Sequence, residues 1–527
     1  MKRTMKKIIF TYVFMLFSAI TAFNQENLNK EVDVVKPYEP TLSDAYKINQ
    51  LPKIESVKRI DPDFDYSITP KKIVSDFEVR PISAAKMVPT ALSQYYKSYL
   101  KLGYGNYITP MAELSINSLR SKKATYGLNI RHQSSNGKIK LANDKKVFAG
   151  YGDSDIDIFG KRIYRRALLQ GDLSLNTNTV YYYGYNPILD TTLEKNSIKQ
   201  NFLSASAGAR IQSAHKDSAH LNYNFALHYW YFQDLESNME NGVHFSFDLN
   251  KLSRTDKLWG AKGNARVLIP SENLDTVNRA LISLNPYFSR TTSEYKFLLG
   301  VHAFADIAGN GNKFRLYPQA LLEFNIIPKI MIPYLSIDGY TRMNNYSQLV
   351  QKNKFIIPGT IGDNSNYRLD FNVGLKGKFS SDISYNIGGS FKKINNLPLF
   401  LNDTVSELQN QFMLTYDNAE IQKVSAEIGY LYSEKLSFLF DIVYKEYNMK
   451  SEMHPWHMPA LNYSFRTFYN LSDKILINFD ILGEGKRYVK VFQDEGYDSV
   501  QLDGIVNLNL GVEYRYSKVL SGFLTMK

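Results

Sequence analysis

The 527-residue chain contains no cysteine. Disulfides, thiolate metal sites and a cysteine nucleophile are therefore excluded, as is a lipid anchor on an N-terminal cysteine. Beyond the N-terminal segment there is no run of about eighteen apolar residues, so no membrane-spanning helix is expected there. No Ser/His/Asp set, paired-carboxylate motif or phosphate-cradling loop stands out. The sequence therefore predicts neither an enzyme nor a bound cofactor.

Charge and histidine content give equally little sign of nucleic acid or metal binding. The formal net charge of +12 is spread along the chain, without a basic run interleaved with aromatics, so no nucleic-acid partner is expected. His454 and His457 form the one close histidine pair, and at this spacing a helix could present both to a metal. Pro455 lies between them in a predicted loop, which favours an ordinary surface feature.

Tyrosine and phenylalanine are abundant, with 38 and 31 residues, and they follow strand periodicity. In the stretch 504–516 the apolar residues fall on one face and the polar residues on the other, with a period of two. An apolar face ending in aromatics is typical of a transmembrane β-barrel strand, although a half-buried strand of a soluble sheet looks the same. About twenty such segments in succession, with no helical pattern between them, favour the barrel.

The links between these segments alternate in length. Short links are predicted at every second junction, at 176–179, 254–256, 380–382 and 433–435. Longer links are predicted near 137–160, 187–197, 343–366, 395–409, 446–458 and 487–502. Outer-membrane barrels have short periplasmic turns and long outer loops, so the two sets are assigned to opposite ends. This alternation requires residues 411–432 to form one long strand with a bulge near Asp417 and Asn418.

Three regions follow from these patterns. Residues 1–24 read as a secretory signal, with a basic start, a short apolar run and small residues for cleavage. Residues 25–93 hold seven of the eighteen prolines and no lasting period, which predicts an extended periplasmic arm. Residues 94–527 are predicted to form an all-β, antiparallel transmembrane barrel.

About 21 strands can be counted in the barrel region, and the last stops at Lys527 in mid-pattern. Bacterial single-chain barrels have an even strand number and must close, because unpaired strand edges are not tolerated in lipid. We therefore expect a design of about 22 strands, the last of which is missing from this sequence. A count in error by one strand is the alternative.

Several charged residues fall on the predicted inward face, where they could line a solute path and tune its selectivity. They are Arg166, Asp172, Asp441, Lys445, Asp480, Glu484, Glu513 and Arg515. The alternative is that any water-filled barrel needs polar side chains and that charges of mixed sign simply pair along the wall.

Close behind the signal stands the segment Glu31, Val32, Asp33, Val34, Val35. It resembles the short acidic-then-valine box with which TonB-dependent receptors recruit TonB, and such a peptide acts by adding a strand to a partner's sheet. TonB is therefore one candidate partner. An extended linker is the other interpretation.

Larger stretches carry a family resemblance. The opening strand 98–107, the segment 113–118 and the late strand 508–516 resemble outer-membrane barrels of the Bacteroidota within the TonB-dependent receptor-like group. The resemblance implies a barrel in the cell outer membrane. True receptors carry a folded plug ahead of the barrel, and about 70 proline-rich residues are too few and too irregular to form one. We therefore expect the lumen to be filled by the arm, by infolded loops or by a partner.

Two functions remain open from the sequence. The first is passage or uptake of a solute across the outer membrane, with outer-membrane lipid around the barrel and a periplasmic or lipoprotein partner at its mouth. The second is a structural or assembly barrel that docks periplasmic and surface partners. The receptor resemblance and the inward charges favour the first.

Overall fold

The chain divides into two units at Val88 and Pro89, and the computed structural model describes the second of them. The described residues are 96–527 without 120, 142–143, 186–192, 215–217, 254–255, 276, 309–310, 360–361, 405, 433–434 and 494–495. The predicted signal, the arm and the segment Glu31–Val35 lie outside the described residues.

Strands dominate the described residues, as alternating apolar and polar side chains predict. They are β1 Ser98–Gly105, β2 Thr109–Asn117, β3 Ala124–Ser135, β4 Lys138–Lys140, β5 Lys146–Phe148, β6 Tyr151–Ile163, β7 Ala167–Tyr181, β8 Lys199–Ser213, β9 Asn222–Gln233, β10 Met239–Leu252, β11 Lys257–Pro270, β12 Arg279–Thr291, β13 Tyr295–Ile307, β14 Lys313–Phe324, β15 Ile332–Arg342, β16 Ser365–Lys378, β17 Ile383–Asn402, β18 Phe412–Tyr432, β19 Leu436–Met449, β20 Leu461–Leu471, β21 Ile475–Glu484, β22 Arg487–Phe492, β23 Tyr497–Leu502, β24 Ile505–Arg515 and β25 Ser521–Met526. Within the described ranges there is one helix, α1, which spans Tyr346–Lys352.

Twenty-one of these strands form one antiparallel sheet in which each strand pairs with the next one along the chain. The remaining four form two small hairpins, β4–β5 and β22–β23, within long links. At the ends of the sheet, Lys101 Nζ on β1 lies 4.3 Å from the ring centroid of Phe523 on β25. The sheet therefore curls round until its first and last strands are neighbours. The all-β barrel and its 21 counted strands are confirmed, while a twenty-second strand remains a prediction.

The two faces of the wall differ as the period of two requires. On β1, Leu100 and Leu102 point outward and are 62% and 64% exposed, whereas Lys101 and Gly103 point inward toward Phe523. The same outward belt of exposed aliphatic and aromatic side chains continues around the sheet. A continuous apolar belt on a closed sheet is the surface that a lipid bilayer covers.

Links of different length separate to opposite ends of the barrel. The short-turn end holds 164–166, 253–256, 379–382 and 433–435, and the long-loop end holds 182–198, 343–364, 450–460 and 485–504. The predicted link 176–179 is wrong, because these residues continue β7 and the turn lies at 164–166 instead. β7 runs beyond the apolar belt, so both of its faces are polar there; Asn178 donates to Asn176 on one face, and Thr179 donates to Asn201 on the other.

Residues 412–432 form the single long strand that the alternation of links required. The register breaks opposite Asn418, where β17 inserts Asn395 and Asn396 between Ile394 and Leu397. The irregularity is thus at the predicted level, with the one extra residue on the partner strand β17. Among the described residues, no helix has the length and apolar character needed to span a membrane.

Candidate functional site

The link 343–364 between β15 and β16 is the central feature of the long-loop end, and we call it the crossing loop. It contains α1, whose residues Tyr346, Leu349 and Val350 lie on one face at helical spacing and are buried. A seven-residue helix is not stable alone, so its packing against the barrel holds it in place.

The crossing loop reaches the far side of the barrel. Lys354 Nζ lies 3.3 Å from Asp153 Oδ1 on β6, and the sheet places eight strands, β7 to β14, between β6 and β15. The Phe355 ring packs against the rings of Tyr182 and Tyr183, with centroid distances of 5.2 and 5.4 Å. The loop therefore bridges opposite parts of the wall instead of extending into solvent.

Apolar packing supports the crossing. α1 belongs to a buried cluster whose members come from β7, β8, β9, the link 182–198, the link 271–278 and the crossing loop itself. These residues are Val180, Tyr181, Tyr182, Ile198, Phe202, Phe232, Leu274, Tyr346, Leu349, Val350 and Ile356. Backbone hydrogen bonds between Phe355 and Phe412 (2.7 Å) and between Ile357 and Phe412 (2.9 Å) attach the loop to β18.

Two buried carboxylates, Glu240 and Asp234, hold the start of α1, and we call them and their partners the latch. Glu240, at 0% exposure, accepts hydrogen bonds from the Asn345 amide, from Ser347 Oγ at 3.0 Å and from Trp230 Nε1 at 3.2 Å. Asp234 accepts from the Tyr346 hydroxyl at 2.9 Å. Burial and the neighbouring Asp234 carboxylate raise the pKa of Tyr346 well above its usual range, so this hydroxyl stays a donor. Buried carboxylates with several donors are costly to disrupt, so the latch favours the crossed position of the loop.

A second apolar cluster covers the neighbouring part of the long-loop end. Trp456, at 0% exposure, packs with Leu399, Leu401 and Ile394 of β17 and with the hairpin residue Tyr488. Its indole N–H donates to Glu452 at 2.8 Å. The loop 450–460 and the β22–β23 hairpin are therefore packed elements.

His457 makes this second cluster sensitive to acid. Its Nε2 is buried without a hydrogen-bond partner, and burial, followed by the charge of Arg487, lowers the pKa of His457 to about 4. In the unfolded loop this histidine takes up a proton near pH 6.5. The unfolded loop thus binds more protons at intermediate pH, so local stability is full above about pH 6.5 and falls as the pH drops toward 4.

In a variant that retains only Trp456, we expect indole fluorescence to report this loosening. In His457→Gln the step should be absent; identical pH profiles would contradict the assignment.

In the structure the eight predicted inward charges occupy three kinds of position: strand interiors, a strand end and a turn. Asp172, Asp441, Lys445, Asp480, Glu513 and Arg515 lie in strands on the polar face, Glu484 ends β21, and Arg166 lies in the turn before β7. Several have partners along the wall: Asp441 accepts from Ser464 Oγ at 2.9 Å, and Arg487 approaches Glu484 at 3.2 Å. Asp480 stands opposite Arg466 on β20. Their role in a solute path remains a prediction.

Part of this set surrounds a recess of about 400 Å³ in the inner wall between β19 and β24. Asp441 and Glu484 line it, with the polar residues Asn462, Ser464 and Asn507 and the apolar Val443, Leu482 and Ile505 among its other residues. The recess has polar and apolar surface together, which suits contact with a hydrated solute. No group of three or more histidine, aspartate or glutamate side chains in the described residues is placed to hold a metal ion.

Sequence reasoning missed the crossing loop, the latch and most ion pairs of the inner wall. Lys392 on β17 approaches Asp370 on the neighbouring β16 at 2.7 Å. Lys376 on β16 approaches Glu323 on β14, two strands away, at 2.9 Å. Strand parity could have identified these charges as inward, because each alternates with outward apolar residues. The latch has no such signal, since Tyr346 and Asp234 lie 112 residues apart.

Comparison with known proteins supports the architecture. The sequence matches no protein-family model. No curated protein matches it either. Solved structures are similar in fold, among them the ferripyoverdine receptor of the Pseudomonas aeruginosa outer membrane, with TM-score 0.60, 11% identity and coverage of 82% of this chain and 67% of that one. The siderophore receptor PirA of Acinetobacter baumannii has TM-score 0.60 at 9% identity, covering 80% and 74% of the two chains.

The ferric-catecholate import receptor Fiu of Escherichia coli K12, in its closed form, has TM-score 0.59 at 8% identity, covering 81% of this chain and 76% of that one. At such low identity the comparisons establish the fold and leave solute and partner open. This chain has the barrel fold seen in these receptor structures.

Proposed function

We propose that the protein is a solute-passage barrel of the bacterial outer membrane in which the crossing loop controls access at the long-loop end. The apolar outer belt suits lipid, and the polar inner wall suits water and a hydrated solute. The observation that carries the proposal is the salt bridge of Lys354 to Asp153, because it places a latched loop across the opening of a polar lumen.

The position of the loop suggests how access is controlled. A 21-stranded barrel is wide enough to need a filled or covered lumen. At the far wall the loop makes one half-exposed ion pair and packs Phe355 and the buried Ile356 against the first cluster, whereas its base is held by the latch. Separation of the Lys354–Asp153 pair is therefore the least costly first step of opening, because an ion pair of this exposure contributes little.

TonB engagement through residues 31–35 and a lipoprotein or periplasmic partner belong to the same proposal. The structural or assembly barrel is the competing function, and it predicts a lumen that carries no flux.

A cleavable cross-link across the opening tests the proposal. The natural chain has no cysteine, so in Asp153→Cys/Lys354→Cys only the introduced thiols react with a short bis-thiosulfonate reagent. We expect the purified barrel in planar bilayers to fluctuate between low and high conductance. The cross-link should hold the low level, and a reductant should restore the fluctuation.

The two single-cysteine variants, treated with the same reagent, serve as controls and should keep the fluctuation. If the cross-link leaves the conductance unchanged, the loop does not control access to the lumen. Absence of ion flow in both natural and latch-deficient protein would support the assembly barrel instead.

A further inference from the structure

The inward face of β17, β18 and β19 brings two lysines directly opposite each other. Lys423 on β18 and Lys445 on β19 are register partners, so their Cβ atoms are about 4.5–5.5 Å apart. Both side chains point to the polar lumen, because Val424 and Tyr444 beside them are exposed on the outward face. Like charges at directly opposed positions destabilise a sheet, so this pair needs a physical reason.

Neither ammonium group has an ion-pair partner among the described residues. The nearest lysine on the same face, Lys392, is neutralised by Asp370 at 2.7 Å. On the inward face of β18 and β19 the nearest carboxylates, Glu427 and Asp441, stand four residues away along each strand, about 13 Å at strand spacing. The lysine pair therefore keeps its positive charge exposed to the lumen.

A third donor completes the arrangement. Ser390 on β17 is the register partner of Lys423 and points to the same face. It is 7% exposed, and its hydroxyl has no hydrogen-bond partner. Buried hydroxyls are almost always hydrogen-bonded, so an unpartnered one beside two cations indicates a missing acceptor. Asn372, the register partner of Ser390 on β16, already donates to Asp370.

We propose that Lys423, Lys445 and Ser390 form an oxyanion-binding site on the inner wall, and we call it the lysine site. Two ammonium groups supply charge-assisted donors and the serine hydroxyl a neutral one, which together suit a phosphate or carboxylate group. Lysines play this part in anion-selective pores, where weak binding promotes passage. This inference rests on the proposed function and names the class of solute. The solute that passes along this wall carries an oxyanion.

Direct binding of inorganic phosphate and of citrate tests the lysine site without any transport measurement. The protein in detergent is reductively methylated with ¹³C-formaldehyde, which keeps the charge and one N–H of each lysine. The signals of Lys423 and Lys445 are assigned through their arginine variants. We expect both signals to shift saturably with one shared dissociation constant at fixed ionic strength.

Variants extend the test. Lys423→Gln or Lys445→Gln should weaken binding about tenfold or more, and Ser390→Ala severalfold. Lys376→Gln is the matched control, since it removes an inward lysine that Glu323 already pairs, and it should leave the affinity unchanged. If the signals of Lys423 and Lys445 shift without saturation, or if the signal of Lys376 shifts equally, the proposed lysine site is wrong. Because no flux is measured, a failure here is distinct from a failure of the gate.

Discussion

Replacement of Glu240 by alanine releases the crossing loop and raises the mean conductance of the barrel severalfold. The substitution leaves the Asn345 amide, the Ser347 hydroxyl and the Trp230 indole without their common acceptor. Each buried donor without an acceptor costs about 1–3 kcal/mol, so the latch loses about 3 kcal/mol or more. Amide hydrogen exchange over residues 345–352 should accelerate correspondingly, while exchange in the barrel strands stays slow.

The control for this experiment lies in the link 234–238, which precedes β10. Glu236→Ala removes an equal charge from an exposed position that acts on α1 only through its electrostatic effect on Tyr346, and it should leave exchange and conductance close to those of the natural protein. Glu240→Gln keeps one acceptor oxygen and should give an intermediate effect. If Glu240→Ala accelerates exchange without any change in conductance, the latch stabilises the loop but the loop does not control the lumen.

Replacement of Trp456 by alanine should unfold the second cluster at the long-loop end. The side chain is completely buried against Leu399 and Leu401, and truncation of a buried tryptophan costs about 3–5 kcal/mol. It also removes the indole N–H that donates to Glu452, a carboxylate that Lys490 approaches at 2.9 Å as well. We expect hydrogen exchange in 450–460 and in the β22–β23 hairpin to approach that of an open loop. The barrel itself should persist, because its ladder does not include these residues.

Met453 provides the matched comparison, since it belongs to the same loop and is 67% exposed. Met453→Ala should leave exchange unchanged. Equal protection in the tryptophan and methionine variants would show that the loop is held by its backbone contacts, such as the hydrogen bond of His457 to Tyr488, and not by burial of the ring.

The two substitutions separate the parts of the long-loop end. The latch acts on the crossing loop, which spans the opening, whereas Trp456 acts on a cluster that stays on the side of β17 and β18. A change in conductance in the first variant with little change in the second would locate access control in the crossing loop. The opposite result would place it in the loop 450–460.

Several features could be predicted from short stretches of sequence. The period of two assigns each strand residue to the inner or outer face, and Asp441, Lys445 and Asp480 lie within strands, while their part in a solute path remains a prediction. It also predicted the single long pass through β18. The pattern was wrong at 176–179, because a strand that leaves the apolar belt has no apolar face by which to recognise it.

The lysine site shows the limit of the same reasoning. Parity puts Lys423 and Lys445 on one face, but only the register of β18 and β19 makes them opposite neighbours, and a shift of one residue would separate their faces. Register depends on how β18 connects to β19 and on packing along the whole ladder. Sequence alone therefore identifies the charge and not its partner.

The barrel wall, its apolar exterior and the unequal links were determined by the sequence itself, since strand alternation and turn length are local properties of neighbouring residues. The crossing loop, the latch and the pairing of charges were decided only by the tertiary structure. Asp153 and Lys354 are 201 residues apart, and such contacts exist because closing the sheet brings distant strands across one opening. A pattern of neighbouring residues cannot predict contacts across such a separation in sequence, because these contacts arise only when the sheet closes.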